Sequence, residues 1–206
     1  MSAMRSVCPG CRLEMPACIG ASYDDSYNTS PECWEIFTEI LGREFGNAVL
    51  FGQVHQLTVD TYAAQHAGGG HRDKSVIIHL GGLHLVLDRG LRPTAVPPLL
   101  QQLSAVVRVW PHLLPPADMS AFTVFDVALA ESMEDHARLV REWAMFVWRA
   151  WSPHHQQIRD FVVEHLYPKE QNDHKTASAF HIAPHNPPPR VLPPAPLPSS
   201  RRRAAL

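Results

Sequence analysis

Apolar residues recur every three to four positions along most of this chain, and polar punctuation divides them into helix-sized segments. In WEIFTEILGREF, Trp34, Phe37, Ile40 and Leu41 share one helical face. Ser30 supplies a capping hydroxyl and Pro31 suits the first helical position, so this helix starts there. After the break at Gly46-Asn47, LFGQVHQLTVDTYAAQH sets Phe51, His55, Val59, Tyr62 and His66 along one stripe and ends before AGGG. DKSVIIHLGGLHLVLDRG places Val76, Leu80, Leu83 and Leu87 together, with Gly90 as the C-terminal cap. Gly81 and Gly82 each weaken that helix by up to ~1 kcal/mol, which predicts compensation by close packing against another backbone.

A shorter helix near 97–107 leads into the proline-rich VWPHLLPPADM. Thr123 and Asp126 then form a helix-start signature. Residues 127–151 carry His136, Val140, Trp143, Val147 and Ala150 on the clearest stripe in the chain. Ser152-Pro153 opens a last helix that turns Ile158, Phe161, Val162 and Leu166 inward. Strand-like alternation is nearly absent and no long period repeats. The pattern predicts an all-α bundle of five or six helices with mostly antiparallel neighbours.

Composition divides the 206 residues into a Cys-rich, zinc-knuckle-like head over 1–29, a helical bundle over 30–167 forming one compact domain with the head, and a tail over 168–206. The tail carries eight prolines between Pro184 and Ser200, then Arg201, Arg202 and Arg203, a composition that predicts disorder. A net charge of −2 gives no strong nucleic-acid signal. The opening MSAMRSVC lacks the roughly 7–15-residue apolar core of a signal peptide, and no run approaches the ~18 residues of a membrane span. A cytoplasmic protein with reduced thiols is expected. Four cysteines in that setting favour metal ligation or thiol chemistry over disulfides, and thirteen histidines supply imidazole.

VCPGC at residues 7–11 is half of a zinc knuckle, because Pro9 and Gly10 favour a turn that faces both sulfurs toward one ion. Cys8 and Cys11 therefore need partners. Cys33, in the first turn of the first helix, is the natural third ligand: unpaired N–H groups and the positive end of the helix dipole favour its thiolate. His66, Cys18 and His55 compete for the fourth position. His55 and His66 stand about 16 Å apart on one helix, so a single ion takes only one of them. With the first two helices antiparallel, side chains leaning toward their own N-termini bring His66 to Cys33 and carry His55 away. The preferred set is Cys8, Cys11, Cys33 and His66, with Cys18 and then His55 as alternatives.

VCPGC, SPECW, VHQLTVDTYAAQH, HLGGLHLVLDRG and VREWAMFVWRAWSPHH together resemble a bacterial family known only as a domain of unknown function. The resemblance spans about residues 7–165. It implies a small helical protein with a Cys-rich zinc-binding head, points to Cys8, Cys11, Cys33, His55 and His66, and implies no reaction. Arg12 stands where a Gly often follows the second knuckle Cys.

Other polar groups have plainer readings. His55 on the inward stripe is expected to be a core imidazole with a carboxylate or carbonyl partner. His79, His84, His136, His154 and His155 could form a second site only across helices, because no helix carries a suitable i, i+3 or i+4 pair. Asp60 reads as a solvated carboxylate, while Trp143, Trp148 and Trp151 read as core. No phosphate loop or Ser-His-Asp order is present, so catalytic residues are unassigned. The reading is a zinc-stabilised helical module of unknown cellular role, expected to be a binding or regulatory protein with an unknown protein partner and no membrane association. Its rivals are a metalloenzyme with an open zinc position at the junction of head and bundle, and a thiol redox sensor using Cys8 and Cys11.

Overall fold

The computed structural model describes residues 4–18 and 23–167. The tail expected to be disordered lies outside them. The chain begins with a short antiparallel hairpin, β1 (Arg5–Val7) and β2 (Glu14–Pro16), pairing Arg5 with Pro16 and Val7 with Glu14. Seven helices follow: α1 (Pro31–Phe45), α2 (Ala48–Gln65), α3 (Asp73–Leu87), α4 (Val96–Val106), α5 (Val124–Ala128), α6 (Met133–Ala150) and α7 (His155–Leu166). Six are substantial and α5 is a single short turn. Among the described residues no helix is long and apolar enough to cross a membrane.

Local chemistry sets most boundaries. Ser30 Oγ accepts from the Cys33 N–H and Pro31 opens α1. Asn47 caps α2 by accepting from the N–H groups of Val49 and Leu50. The two-residue link between α1 and α2 forces them into an antiparallel pair. Over 127–151 the structure departs from a continuous helix. Thr123 and Asp126 form a capping box that starts α5, but Ser132 Oγ accepts from the Asp135 N–H and begins α6 anew. That hydroxyl satisfies an N–H that has no partner in a helix's first turn, so the interruption costs little.

Helix α2 runs through the middle, packed by α1, α3 and α6. A helix so enclosed has no single buried stripe. Phe51, expected inside, is 38% exposed, whereas Leu57, Thr58 and every residue from Asp60 to Gln65 are buried. The three tryptophans are core. Trp143 Nε1–H donates to Gln65 Oε1 at 2.9 Å, and Trp151 Nε1–H to the Ala64 carbonyl at 3.2 Å. Trp148 lies beside His155, with their ring centres 3.9 Å apart.

Asp60 corrects the sequence reading, because it is fully buried between α2 and α3 instead of solvated. His79 Nδ1–H donates to its Oδ1 at 2.8 Å and Gln56 Nε2–H at 2.9 Å, while Oδ2 has no partner. Gly82 of α3 lies against this carboxylate, so close packing does compensate the glycine, though against a side chain instead of a backbone.

Burial pushes the Asp60 carboxyl above its ordinary range despite the bonds from His79 and Gln56. Between the unfolded value and this raised one, the folded chain keeps a proton that the unfolded chain releases. Stability from this group therefore falls as pH rises through that window. Asp60→Asn is expected to remove the fall. Urea unfolding of both proteins from about pH 4 to about pH 8 checks it, with the wild type losing stability relative to the variant as pH rises.

Candidate metal centre

Three segments converge where the hairpin meets α1 and the end of α2. In the hairpin turn, the Cys8 N–H donates to the Leu13 carbonyl at 2.9 Å and the Arg12 N–H to the Cys8 carbonyl at 2.9 Å, which folds Cys8 and Cys11 toward the same side. Cys33 enters from the first turn of α1. His66 caps the C-terminal end of α2, where its Nδ1–H donates to the Tyr62 carbonyl at 2.8 Å and leaves the Nε2 lone pair facing the sulfurs. Gly10 is required at the contact: a Cβ there would lie 2.5 Å from the Asn28 carbonyl oxygen and 2.7 Å from His66 Cδ2.

The four donor atoms all lie within 4.8 Å of one another. Cys11 Sγ and Cys33 Sγ are 3.7 Å apart, and Cys33 Sγ is 3.4 Å from His66 Nε2. A tetrahedron with metal–sulfur bonds of ~2.3 Å and a metal–nitrogen bond of ~2.0 Å has edges of about 3.8 Å and 3.5 Å, so these separations suit one shared ion. They are far too long for a disulfide, whose sulfurs sit ~2.05 Å apart, and all four cysteines are free. The buried Cys8, Cys11, Cys33 and His66 group can hold a metal ion such as zinc.

The electrostatics ask for a cation. Hydrogen bonds from the Cys11 and Cys33 thiols push the Cys8 thiol down. Cys11 goes the other way: although Cys33 pulls its thiol down, the charged Cys8 sulfur and burial outweigh that and push it up to about 12. Its bonds to the Cys11 and Cys8 sulfurs, with burial, push the Cys33 thiol up as well. Burial opposes charge on His66, but the Cys33 and Cys8 sulfurs overcome it and raise the imidazole to about 9. Without a metal one sulfur ionises readily and the others resist. A divalent ion lets all three carry charge together.

Aromatic and hydroxyl groups fix the donors from behind. The Tyr62 ring stacks between Phe37, with centres 3.8 Å apart, and His66, at 4.0 Å. Tyr62 O–H donates to Cys33 Sγ at 3.7 Å, and Tyr62 Oη lies 2.7 Å from Thr29 Oγ1, which also reaches Cys8 Sγ at 3.7 Å. Thr29 carried no signal in the sequence beyond its place just before the capping Ser30. Cys18 and His55 are not part of the group. Cys18 is exposed and its N–H donates to Glu32 Oε1, while His55 Nδ1–H donates to Glu44 Oε2 at 2.8 Å. The histidines considered for a second site do not converge: His79 pairs with Asp60, His84 with Asp88 and His136 with Glu44, while His154 and His155 bond the carbonyls of Leu114 and Trp148. Among the described residues the Cys3His cluster is the one group of three or more His, Cys, Asp or Glu side chains whose donor atoms lie close enough together to hold a metal ion.

With the helical body and a Cys3His corner defined, the comparisons with known proteins add one match: the model of a family of unknown function, DUF5946, covers residues 6–152. The chain belongs to DUF5946. The matched span of this DUF5946 member includes all four donors and ends inside the connection between α6 and α7. No curated protein and no solved structure matches the chain.

Arg12 is the one non-glycine residue with positive φ among those described, at 64°. That left-handed position explains why a Gly is the expected occupant after the second knuckle cysteine. Its side chain is exposed, so little packing is lost on replacement. Arg12→Gly in this DUF5946 protein is expected to stabilise the fold by about 0.5–1 kcal/mol, read as a rise of a few degrees in the thermal midpoint.

Proposed function

We propose that the chain is a zinc-stabilised helical module whose ion clasps the hairpin head to α1 and α2, and that it serves as a binding or regulatory protein instead of an enzyme. The observation that carries this reading is closure: Cys8, Cys11 and His66 are fully buried and Cys33 is 1% exposed. Four protein donors complete a tetrahedral shell, and a catalytic zinc keeps one position for water or substrate. Bound there, the metal supplies folding free energy, because its ligands come together only in the native state. The residues themselves set the donor geometry: Tyr62 orients His66, Ser30 caps the turn that presents Cys33, and Gly10 admits the imidazole.

The open-site metalloenzyme has no vacant coordination position in this arrangement. The redox-sensor reading needs oxidant to reach Cys8 and Cys11, both of which are sealed from solvent. Metal analysis of protein purified without chelator, followed by zinc K-edge X-ray absorption, tests the proposal. One zinc per chain with three sulfurs at ~2.3 Å and one nitrogen at ~2.0 Å is expected. Absence of zinc, or an oxygen in its shell, overturns it.

A further inference from the structure

About 16 Å along α1 from Cys33, by helical rise, a second polar centre is built around Glu44. Its carboxylate is fully buried. Thr58 Oγ1–H donates to Oε1 at 2.6 Å, His136 Nε2–H to Oε1 at 3.0 Å, and His55 Nδ1–H to Oε2 at 2.8 Å. Burial would raise this carboxyl, but the bonds from His136, His55 and Thr58 outweigh it and hold the group below its ordinary range, so Glu44 is an anion.

Because His136 gives its Nε2–H to that anion, its other nitrogen carries the consequence. Nδ1 is buried and has no hydrogen-bond partner. With Nε2 as the donor, Nδ1 of the neutral ring is a lone pair that accepts a hydrogen bond. His136 also forms part of the wall of a cleft of about 250 Å³ between the end of α1 and the start of α6, with Arg43, Leu50, Ala130, Glu131 and Met133. Leu50, Ala130 and Met133 give it an apolar wall, and Ser132 lines it as well. Arg43 is within 3.5 Å of both Glu39 Oε1 and the Ala128 carbonyl, which take up part of its charge, whereas the exposed Glu131 lines the cleft and the buried Glu44 lies behind the His136 ring. A donor reaches the buried Nδ1 only when a rim side chain moves; Met133 is 53% exposed and unbranched, and its movement would release the hydrogen bond that its sulfur accepts from Asn47 Nδ2–H.

We propose that this cleft is a binding site for a small organic ammonium, whose N–H donates to His136 Nδ1 and whose alkyl part lies on Leu50, Ala130 and Met133. The lone pair accepts and cannot donate, which selects an N–H or O–H group. The carboxylates behind and beside it select the cation. The site is separate from the metal centre and stands or falls independently of it.

The full chain, labelled with ¹⁵N in its histidine rings, is titrated with n-butylammonium, sodium butyrate and n-butanol. A saturable shift of the His136 Nδ1 resonance by butylammonium, with a Kd on the order of 1 mM, is expected, with no saturable response to the other two. Ala130→Trp fills the cleft without touching the Glu44 network and is expected to weaken binding more than tenfold. Its metal content and circular dichroism, matching wild type, establish that the variant is folded. The proposal is overturned if butylammonium gives no saturable shift, if butyrate or butanol binds as well, or if Ala130→Trp binds amine like the wild type.

Discussion

Replacing Cys33 by serine is expected to strip the metal from the protein and lower its stability by about 3–5 kcal/mol, a fall of roughly 10 °C or more in the thermal midpoint. Cys33 is the donor that touches the most of the site: its sulfur is 3.7 Å from Cys11 Sγ, 3.4 Å from His66 Nε2 and 3.7 Å from the Tyr62 hydroxyl. A serine oxygen is a harder and more basic donor with a shorter reach, so it neither ionises nor spans the same distance. The loss stays below the ~10–16 kcal/mol of metal-dependent finger peptides because the helices keep a core of their own, including Ile40, Leu57, Leu80 and Trp143. Cys18→Ser is the control. That thiol is exposed and outside the cluster, so metal content and midpoint should match wild type. Elemental analysis with calorimetry on the three proteins decides it, and equal zinc in Cys33→Ser would remove Cys33 from the ligand set.

Gly82→Ala is expected to cost about 2–4 kcal/mol, and the neighbouring Gly81→Ala to be neutral or mildly stabilising. The two glycines are adjacent on α3 but face different surroundings. A Cβ at residue 82 would lie 2.1 Å from Asp60 Oδ2 and 2.5 Å from its Cγ, where atoms cannot overlap. Asp60 has little freedom to retreat, since His79 and Gln56 hold it and it is fully buried. At residue 81 the nearest atoms are Val162 Cγ2 at 3.4 Å and Leu103 Cδ2 at 3.7 Å, which is ordinary contact. Alanine there gains up to ~1 kcal/mol of helix propensity. Urea denaturation reads both. A Gly82→Ala change made on Asp60→Ala should lose most of its cost, because the clashing carboxylate is gone, and an undiminished cost in that background would locate the strain elsewhere.

The helices were legible because their ends carry local chemistry: Ser30 with Pro31, Asn47, and Thr123 with Asp126 each mark a start through a bond the backbone must make. The hairpin was not, since strands of three residues are too short to show alternation. The stripe drawn through Phe51 and His55 failed for a different reason. It assumed one buried face, whereas α2 is enclosed on several sides and its polar residues are buried in pairs with polar residues of other helices. Asp60 shows this most clearly, because His79 lies nineteen positions away and no local spacing announces it. Glu44 did leave a trace. Cys33, Phe37, Ile40 and Glu44 continue one i, i+4, i+7, i+11 series, which sets a carboxylate on the buried face of α1. The approach of His66 to Cys33 was readable from the lean of helical side chains across a two-residue link, and that of Cys8 to Cys11 from their spacing around Pro9 and Gly10. The exclusion of Cys18 was not, because it depends on the path the chain takes after the hairpin.

His66 stands at the far end of α2, and that placement imposes an order of assembly. A nascent chain that has emerged only through α1 presents four thiols, those of Cys8, Cys11, Cys18 and Cys33, but no imidazole, so the Cys3His set is still incomplete. In the proposed metal clasp, closure waits until the whole of α2 has wound and turned back on its neighbour. Metal uptake would then report completion of that hairpin of helices, and a chain truncated before residue 66 should exchange its ion quickly with a competing chelator.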